Sequence, residues 1–480
     1  MNLLERFSRS VDGPARRSHE HRSVLGGEVL GARYLGRGRI MEATTGLTAK
    51  ERQTFAKVAR RLIPFMMLLY LVSFLDRVNV GFAALTMNAD LGFSPEVYGW
   101  GAGIFFIGYF LFEVPSNLVL EKVGARLWIC RIMVTWGLIS AATAFATGPT
   151  SFFILRFLLG AAEAGFLPGM ILYLGYWFPL AMRARYIALF MAAVPIASAV
   201  GSPLSALIME THGLFGLAGW QWLFIMEGLP ATLLGLVVLV LLPNGPADAR
   251  WLDADERRII AARLAADHAG KGAATRHSLW PALADARVLM LSLIYFGLVV
   301  GLYGIGLWLP QIIHAMGYET RQIGFILILP YALSALAMLV WGRHSDHSGE
   351  RVLHVAGAAF LGAVGLVASV HAPSHVLAIA AVTCASVGIY AALGPFWAVP
   401  PLFLRGTAAA GGIALINSIG NLGGFVGPYT VGFIKQHTDR FTAGFEVLAG
   451  VVCAAGLLAL TLRAMLRRRG NLPRPRSPAL

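Results

Sequence analysis

The sequence predicts an all-α membrane protein: twelve transmembrane helices in two pseudo-symmetric six-helix bundles. Three observations predict it. Of 480 residues, 57% are hydrophobic and 13% charged, with mean hydropathy +0.67, whereas soluble domains carry roughly 25% charged residues. Apolar runs recur along the chain, each long enough for the ~20 residues that a spanning helix uses. The second six runs repeat landmarks of the first six at a nearly constant offset, as duplicated carriers do.

The runs lie near 61–84, 97–119, 127–147, 151–178, 184–209 and 220–242. After a polar gap they resume near 287–314, 321–342, 352–371, 375–399, 407–434 and 441–464. They define an N-terminal bundle (61–242), a linker (243–286) and a C-terminal bundle (287–464), flanked by a basic tail (1–60) and a short tail (465–480). In the linker, 253–263 carries mixed charge on a helical pattern (Asp255, Glu256, Arg257, Arg258) and reads as a surface helix. The apolar stretch 24–35 is too short and interrupted for a signal-peptide core. Residues 1–40 read either as a disordered basic tail or as codons upstream of a true start at Met41.

The net charge is +14, and its distribution is topological. Basic residues flank the first span (Lys57, Arg60, Arg61). They recur in alternate loops (Lys122 and Arg126, Arg183 and Arg185, the linker, Arg343 and Arg351) and in the tail. The intervening loops hold few, Arg321, Lys435 and Arg440 being the exceptions. The positive-inside rule then puts both termini in the cytoplasm and excludes a nucleic-acid patch. Cys130, Cys384 and Cys453 fall in apolar runs and read as buried thiols, and the histidines show no metal-ligand spacing. No Gly-x-x-x-x-Gly-Lys-Ser/Thr loop is present, so ATP-driven work is not expected. No cofactor and no enzyme chemistry are expected either. Arginine far outnumbers lysine, which fits a GC-rich genome and a bacterial inner membrane.

Asp76 and Arg77 stand side by side within an apolar run. A charge at that depth is costly and is kept where it faces a bundle interior or a water-filled cavity. At 1.5 Å per residue Asp76 lies ~22 Å from the start of the first span, while Arg156 and Glu163, on a span running the other way, lie ~8 and ~18 Å below the outer surface. Asp76, Arg77 and Arg156 therefore share one depth, with Glu163 near the midplane. Arginine presents a planar fork matched to carboxylates, so Arg77 or Arg156 is the expected ligand of an anionic substrate. Buried carboxyls can hold or release protons, so Asp76 and Glu163 are the expected proton carriers. Tyr303, with Tyr295, Tyr390 and Trp397, is expected along an apolar wall, and Glu113 is read as part of a gate.

The duplication is carried by three landmarks. Asn117, Glu121, Gly124 and Arg126 recur 225 residues later as Gly342, Asp346, Gly349 and Arg351. Ser202-Pro203 recurs as Gly427-Pro428 at the same offset, and Ile187-Ala188-Leu189 recurs one residue off as Ile413-Ala414-Leu415. The repeated loop resembles Gly-x-x-x-Asp-Arg-x-Gly-Arg-Arg, the cytoplasmic signature of the major facilitator superfamily. Asn117 and Ala125 depart from it in the first copy, and His347 departs from it in the second. Further stretches resemble the anion:cation symporter family within it: Leu75-Asp76-Arg77-Val78-Asn79-Val80-Gly81, Glu113-Val114-Pro115-Ser116-Asn117, and Arg156-Phe157-Leu158-Leu159-Gly160-Ala161-Ala162-Glu163. Gly219-Trp220-Gln221-Trp222-Leu223-Phe224, Trp308-Leu309-Pro310-Gln311 and Asn417-Ser418-Ile419-Gly420-Asn421 continue it in order.

The resemblance implies the major facilitator fold and a monomeric carrier that works by alternating access. It implies import of a small organic anion (a hydroxy-dicarboxylate such as tartrate, a sugar acid or an aromatic carboxylate) by proton symport. Asn417 and Asn421 would be substrate ligands, and Glu121, Arg126, Asp346 and Arg351 would form the gate. The alternative on the same fold is an efflux carrier for drugs or metabolites.

Overall fold

The computed structural model describes residues 47–191, 193–269, 285–404 and 406–468, and among these the regular structure is helical. The first half comprises α1 (Ala49–Asp90), α2 (Pro95–Val123), α3 (Ala125–Ala142), α4 (Pro149–Glu163), α5 (Phe166–Gly175), α6 (Leu180–Met191), α7 (Ala193–Met209) and α8 (Gly219–Leu241). The linker helix is α9 (Ala254–Ala269). The second half comprises α10 (Ala286–Ala315), α11 (Thr320–Ile326), α12 (Ile328–Ser348), α13 (Val352–Val370), α14 (His375–Trp397), α15 (Gly406–Asn421), α16 (Gly423–Thr438) and α17 (Thr442–Arg468). Among the described residues eleven helical stretches, some of them broken once along their length, are long and apolar enough to cross a membrane. A twelfth crossing is supplied by α15 and α16, which are separated at Leu422. The proposed start at Met41, residues 270–284 and the tail beyond Arg468 lie outside the described residues.

Local chemistry explains the helix boundaries. Thr48 and Glu51 form a reciprocal capping box that starts α1. The repeated loops turn on glycines at positive φ: Gly124 at 95° after α2 and Gly349 at 69° after α12. A side chain at either position would be strained, which gives the 225-residue echo a physical reason. At 42 residues α1 is ~63 Å long, about twice the hydrocarbon thickness, so its first turns stand outside the bilayer.

The linker helix binds those turns through Lys50–Asp255, Lys57–Glu256 and Arg263–Glu51 contacts, each 2.7 Å. Arg263 and the Thr48 backbone N–H together push the Glu51 carboxyl down to about 2. The same end of the molecule carries the Arg126 N–H donating to Asn244 Oδ1 (3.1 Å) and, in the second half, Arg463 bound to Glu350 (3.2 Å). This is termed the terminal end, and the opposite one the far end.

The outer surface is apolar: Phe215 is 84% exposed, Val240 83% and Val376 71%. So much exposed aliphatic surface is a liability in water and a requirement against lipid. It also corrects the expectation for the cysteines. Cys130 is buried, but Cys384 is exposed and Cys453 half-buried, because apolar sequence serves a lipid-facing position as well as a core one.

Candidate functional site

Arg77 lies on the inner face of α1 and is 6% exposed. Its Nε donates to Glu163 Oε1 at 2.8 Å, and Nη2 lies equally close to that oxygen but out of line for a hydrogen bond. Ser73, one turn earlier on α1, donates to the same oxygen at 2.6 Å. Nη1 reaches across to the second half, 3.4 Å from the Tyr303 hydroxyl. Phe105 and Tyr109 place their rings 5.6 and 5.0 Å from the guanidinium. The result is a buried cation with one carboxylate partner, at the boundary between the halves.

Glu163 owes its place to a helix break. α4 ends there, Ala164 takes an extended ψ of 132°, and Gly165 takes φ 86° before α5 begins. A Cβ at Gly165 would lie 2.4 Å from Ser116 Oγ, so the break requires glycine on conformational and steric grounds alike. Broken spans at mid-depth are tolerated where the freed backbone lines protein or a cavity.

Asp76 turns the other way. Trp136 Nε1 donates to its Oδ2 at 2.7 Å and Ser140 Oγ to its Oδ1 at 2.8 Å, with Asn79 Nδ2 at 3.4 Å. Successive helix residues point ~100° apart, which sends Asp76 into α3 while Arg77 faces the boundary. Asp76 thus meets neutral donors rather than Arg77 or Arg156. Arg156 is fully buried, donates once to the Ala102 carbonyl (3.3 Å) and packs 5.2 Å from the Phe105 ring. Its Nε and Nη1 have no hydrogen-bond partner.

Glu113 differs from the gate position read from sequence. α2 continues to Val123, so Glu113 is ten residues, ~15 Å, short of its terminal end. There it accepts from Asn417 Nδ2 at 2.5 Å and Ser418 Oγ at 3.2 Å, across the boundary. Asn421, 8% exposed, is one turn on, at the end of α15. Among the aromatics, Tyr303 packs on Phe106 at 4.4 Å, Tyr295 stacks on Phe396 at 5.2 Å, and Tyr390 meets Tyr331 edge-on.

Toward the far end the halves are held together. Tyr98 donates to the Leu307 carbonyl (2.7 Å), Asn88 to Gln311 (3.3 Å), and Arg321 stands 3.9 Å from Glu210. Backbones nearly touch: a Cβ on Gly99 would be 2.7 Å from the Pro428 carbonyl, and one on Gly432 would be 2.4 Å from that of Pro95. At the terminal end the four gate candidates stay within their own copies. Arg351 pairs with Asp346 at 3.5 Å and donates to the Ala398 carbonyl, whereas Glu121 and Arg126 form no side-chain bond to them. The molecule is therefore closed at the far end, and no side-chain bond joins the two loop signatures.

Sequence reasoning missed Ser73 and Ser418, whose serines carry no signal in apolar runs. It also missed Glu227 of α8, 4% exposed and bonded to Ser205 Oγ at 2.7 Å. A lone acid in the run 220–242 was the same signal that singled out Asp76. Among the described residues no group of three His, Cys, Asp or Glu could hold a metal ion.

Comparison with known proteins agrees with this fold. The family model described as Major Facilitator Superfamily matches residues 66–428. A protein of Agrobacterium vitis named "Putative tartrate transporter" is 54% identical over 412 residues, covering 86% of this chain and 92% of that protein. The "Quinolone resistance transporter" of Acinetobacter baumannii is 41% identical, covering 87% and 97%. Among solved structures, an inward-facing bacterial homologue of the human lysosomal transporter Spinster superposes with a TM-score of 0.67 at 15% identity, covering 86% of this chain and 98% of that one, a likeness of fold.

Proposed function

The chain belongs to the Major Facilitator Superfamily, and from that premise we propose that it imports a small organic anion by proton symport with alternating access. The proposed substrate class is the hydroxy-dicarboxylates such as tartrate, which the name of the Agrobacterium relative supports. Sugar acids and aromatic carboxylates share the recognition chemistry. The observation that carries the reading is Arg77, buried at the boundary with Glu163 as its ionic partner and Tyr303 of the other half within reach.

A proton on Glu163 weakens its hold on Arg77, whose fork is then free for a substrate carboxylate. Tyr303, Asn417 and Asn421 offer uncharged polar groups to the rest of the molecule from the second half. Rocking of the halves about the site moves the anion from the far end to the terminal end, where loss of the proton lets Glu163 reclaim Arg77 and expel the anion. The pair as seen, with the far end closed, corresponds to the emptied carrier after release. Asp76 is assigned a proton as well, and Glu121, Arg126, Asp346 and Arg351 are assigned to closing the terminal end. We place the protein, as a monomer, in a bacterial inner membrane with the terminal end toward the cytoplasm.

The test is uptake of radiolabelled L-tartrate by proteoliposomes under an imposed gradient, acid outside. The expected result is accumulation that a protonophore collapses. Absence of gradient-driven uptake would overturn the reading. The quinolone-resistance relative favours one rival, proton-driven efflux. Gradient-driven expulsion of a fluoroquinolone without tartrate transport would support it.

A further inference from the structure

We propose that Glu227 is a further proton-binding residue of the transport cycle, linked to Asp76 by the Asn79 amide. The inference rests on the proton-coupled reading above. Glu227 and Asp76 are 4% and 1% exposed and sit on neighbouring helices, α8 and α1. Asn79, itself 1% exposed, is one turn on from Asp76 along α1, with Nδ2 3.4 Å from Asp76 Oδ1.

The donors and acceptors of this cluster do not balance as they stand. Glu227 Oε1 receives the Ser205 hydroxyl, but Oε2 is buried with no partner, and so is Asn79 Oδ1. Each of these two side chains thus buries an oxygen that lacks a donor, an unfavourable arrangement unless one is supplied. One proton on Glu227 turns an orphan acceptor into a donor, and the Asn79 oxygen is the acceptor we assign to it. The same bond would hold the Asn79 amide with its N–H toward Asp76.

No cation offsets a charge on Glu227. Ser205 of α7 is bonded to it, while Trp136 and Ser140 of α3 and Asn79 of α1 face Asp76. Arg156 hydrogen-bonds neither carboxyl and donates to the Ala102 carbonyl instead. Two buried carboxylates joined through one neutral amide cannot both ionise cheaply, so the pair keeps at least one proton between them. That proton comes from solution when the site is open and returns to it on the other side, and no covalent bond changes other than O–H.

The test uses Glu227→Gln, whose amide keeps the Ser205 bond and can donate to Asn79, mimicking a permanently protonated acid. The infrared spectrum of the purified protein at neutral pH should lose a protonated-carboxyl carbonyl band in this variant. In proteoliposomes E227Q should keep L-tartrate counterflow while losing the roughly tenfold accumulation that one proton provides per unit of imposed pH gradient. An unchanged infrared band, or accumulation equal to wild type, overturns the proposal. A wild-type protein without gradient-driven uptake refutes the transport reading instead, and the infrared arm still decides whether Glu227 holds a proton.

Discussion

If Glu163 is the competitor that an incoming anion must displace, Glu163→Gln should tighten anion binding rather than weaken it. The two charges approach to 2.8 Å, which at an effective dielectric of about 20 is ~6 kcal/mol of attraction before desolvation. Breaking a buried pair costs about 3–5 kcal/mol net. An anion that displaces an ionised Glu163 gives back most of that. A neutral glutamine keeps the Ser73 bond and asks for little in return. At ~1.4 kcal/mol per tenfold, E163Q should bind L-tartrate ~100-fold more tightly than wild type at alkaline pH. Isothermal titration in detergent measures it. Equal or weaker binding by E163Q would refute the competition.

Two further predictions rest on contacts away from the buried charges. Gly432→Val places a side chain against the Pro95 carbonyl and Gly99; it should wedge the far end open, abolish net tartrate uptake, and make a cysteine introduced at Gln311 reactive to an impermeant maleimide from the far side. Because Arg263 and Thr48 depress the Glu51 carboxyl to about 2, the linker clamp is intact above the ordinary carboxylate range and is lost as pH falls toward about 2. Pepsin should therefore leave 254–269 uncut in mild acid and cleave it as pH approaches that value, while Glu51→Gln should be cut in mild acid already.

Charges in apolar text are conspicuous, which is why Asp76, Arg77, Arg156 and Glu163 could be named as candidates before any coordinates. Their partners were not legible, because partner choice depends on rotation about a helix axis. Asp76 and Arg77 are adjacent in sequence yet one bonds Trp136 and Ser140 and the other Glu163. The end of one span was misjudged. Glu113 looked peripheral because α2 runs four residues past the apolar stretch that ended at 119. Which apolar residues face lipid is hidden too, as Cys384 illustrates. Ser73 and Ser418 became visible only with the carboxylates they bond.

The acidic, basic and histidine side chains buried among the described segments, Asp76, Arg77, Glu113, Arg156, Glu163 and Glu227, all belong to the first half, apart from His354 near the terminal end. That asymmetry bears on how proton and anion could be tied together. With Glu163 ionised, Arg77 is compensated and the empty site is neutral. With Glu163 protonated and an anion on Arg77, it is neutral again. The two mixed states are not. A protonated, empty site buries a lone guanidinium, and an anion bound beside an ionised Glu163 buries an excess negative charge, each costing several kcal/mol. Rocking closes the site away from water, so the mixed states are the ones it penalises most, and the second half, contributing only neutral groups there, offers them no relief. Coupling then needs no conformational signal beyond this charge balance. A dicarboxylate adds a second negative charge that Arg77 cannot cover, and the unpartnered Nε and Nη1 of Arg156 are buried donors of the matching sign. On this logic Arg156→Gln should spare a monocarboxylate and penalise tartrate.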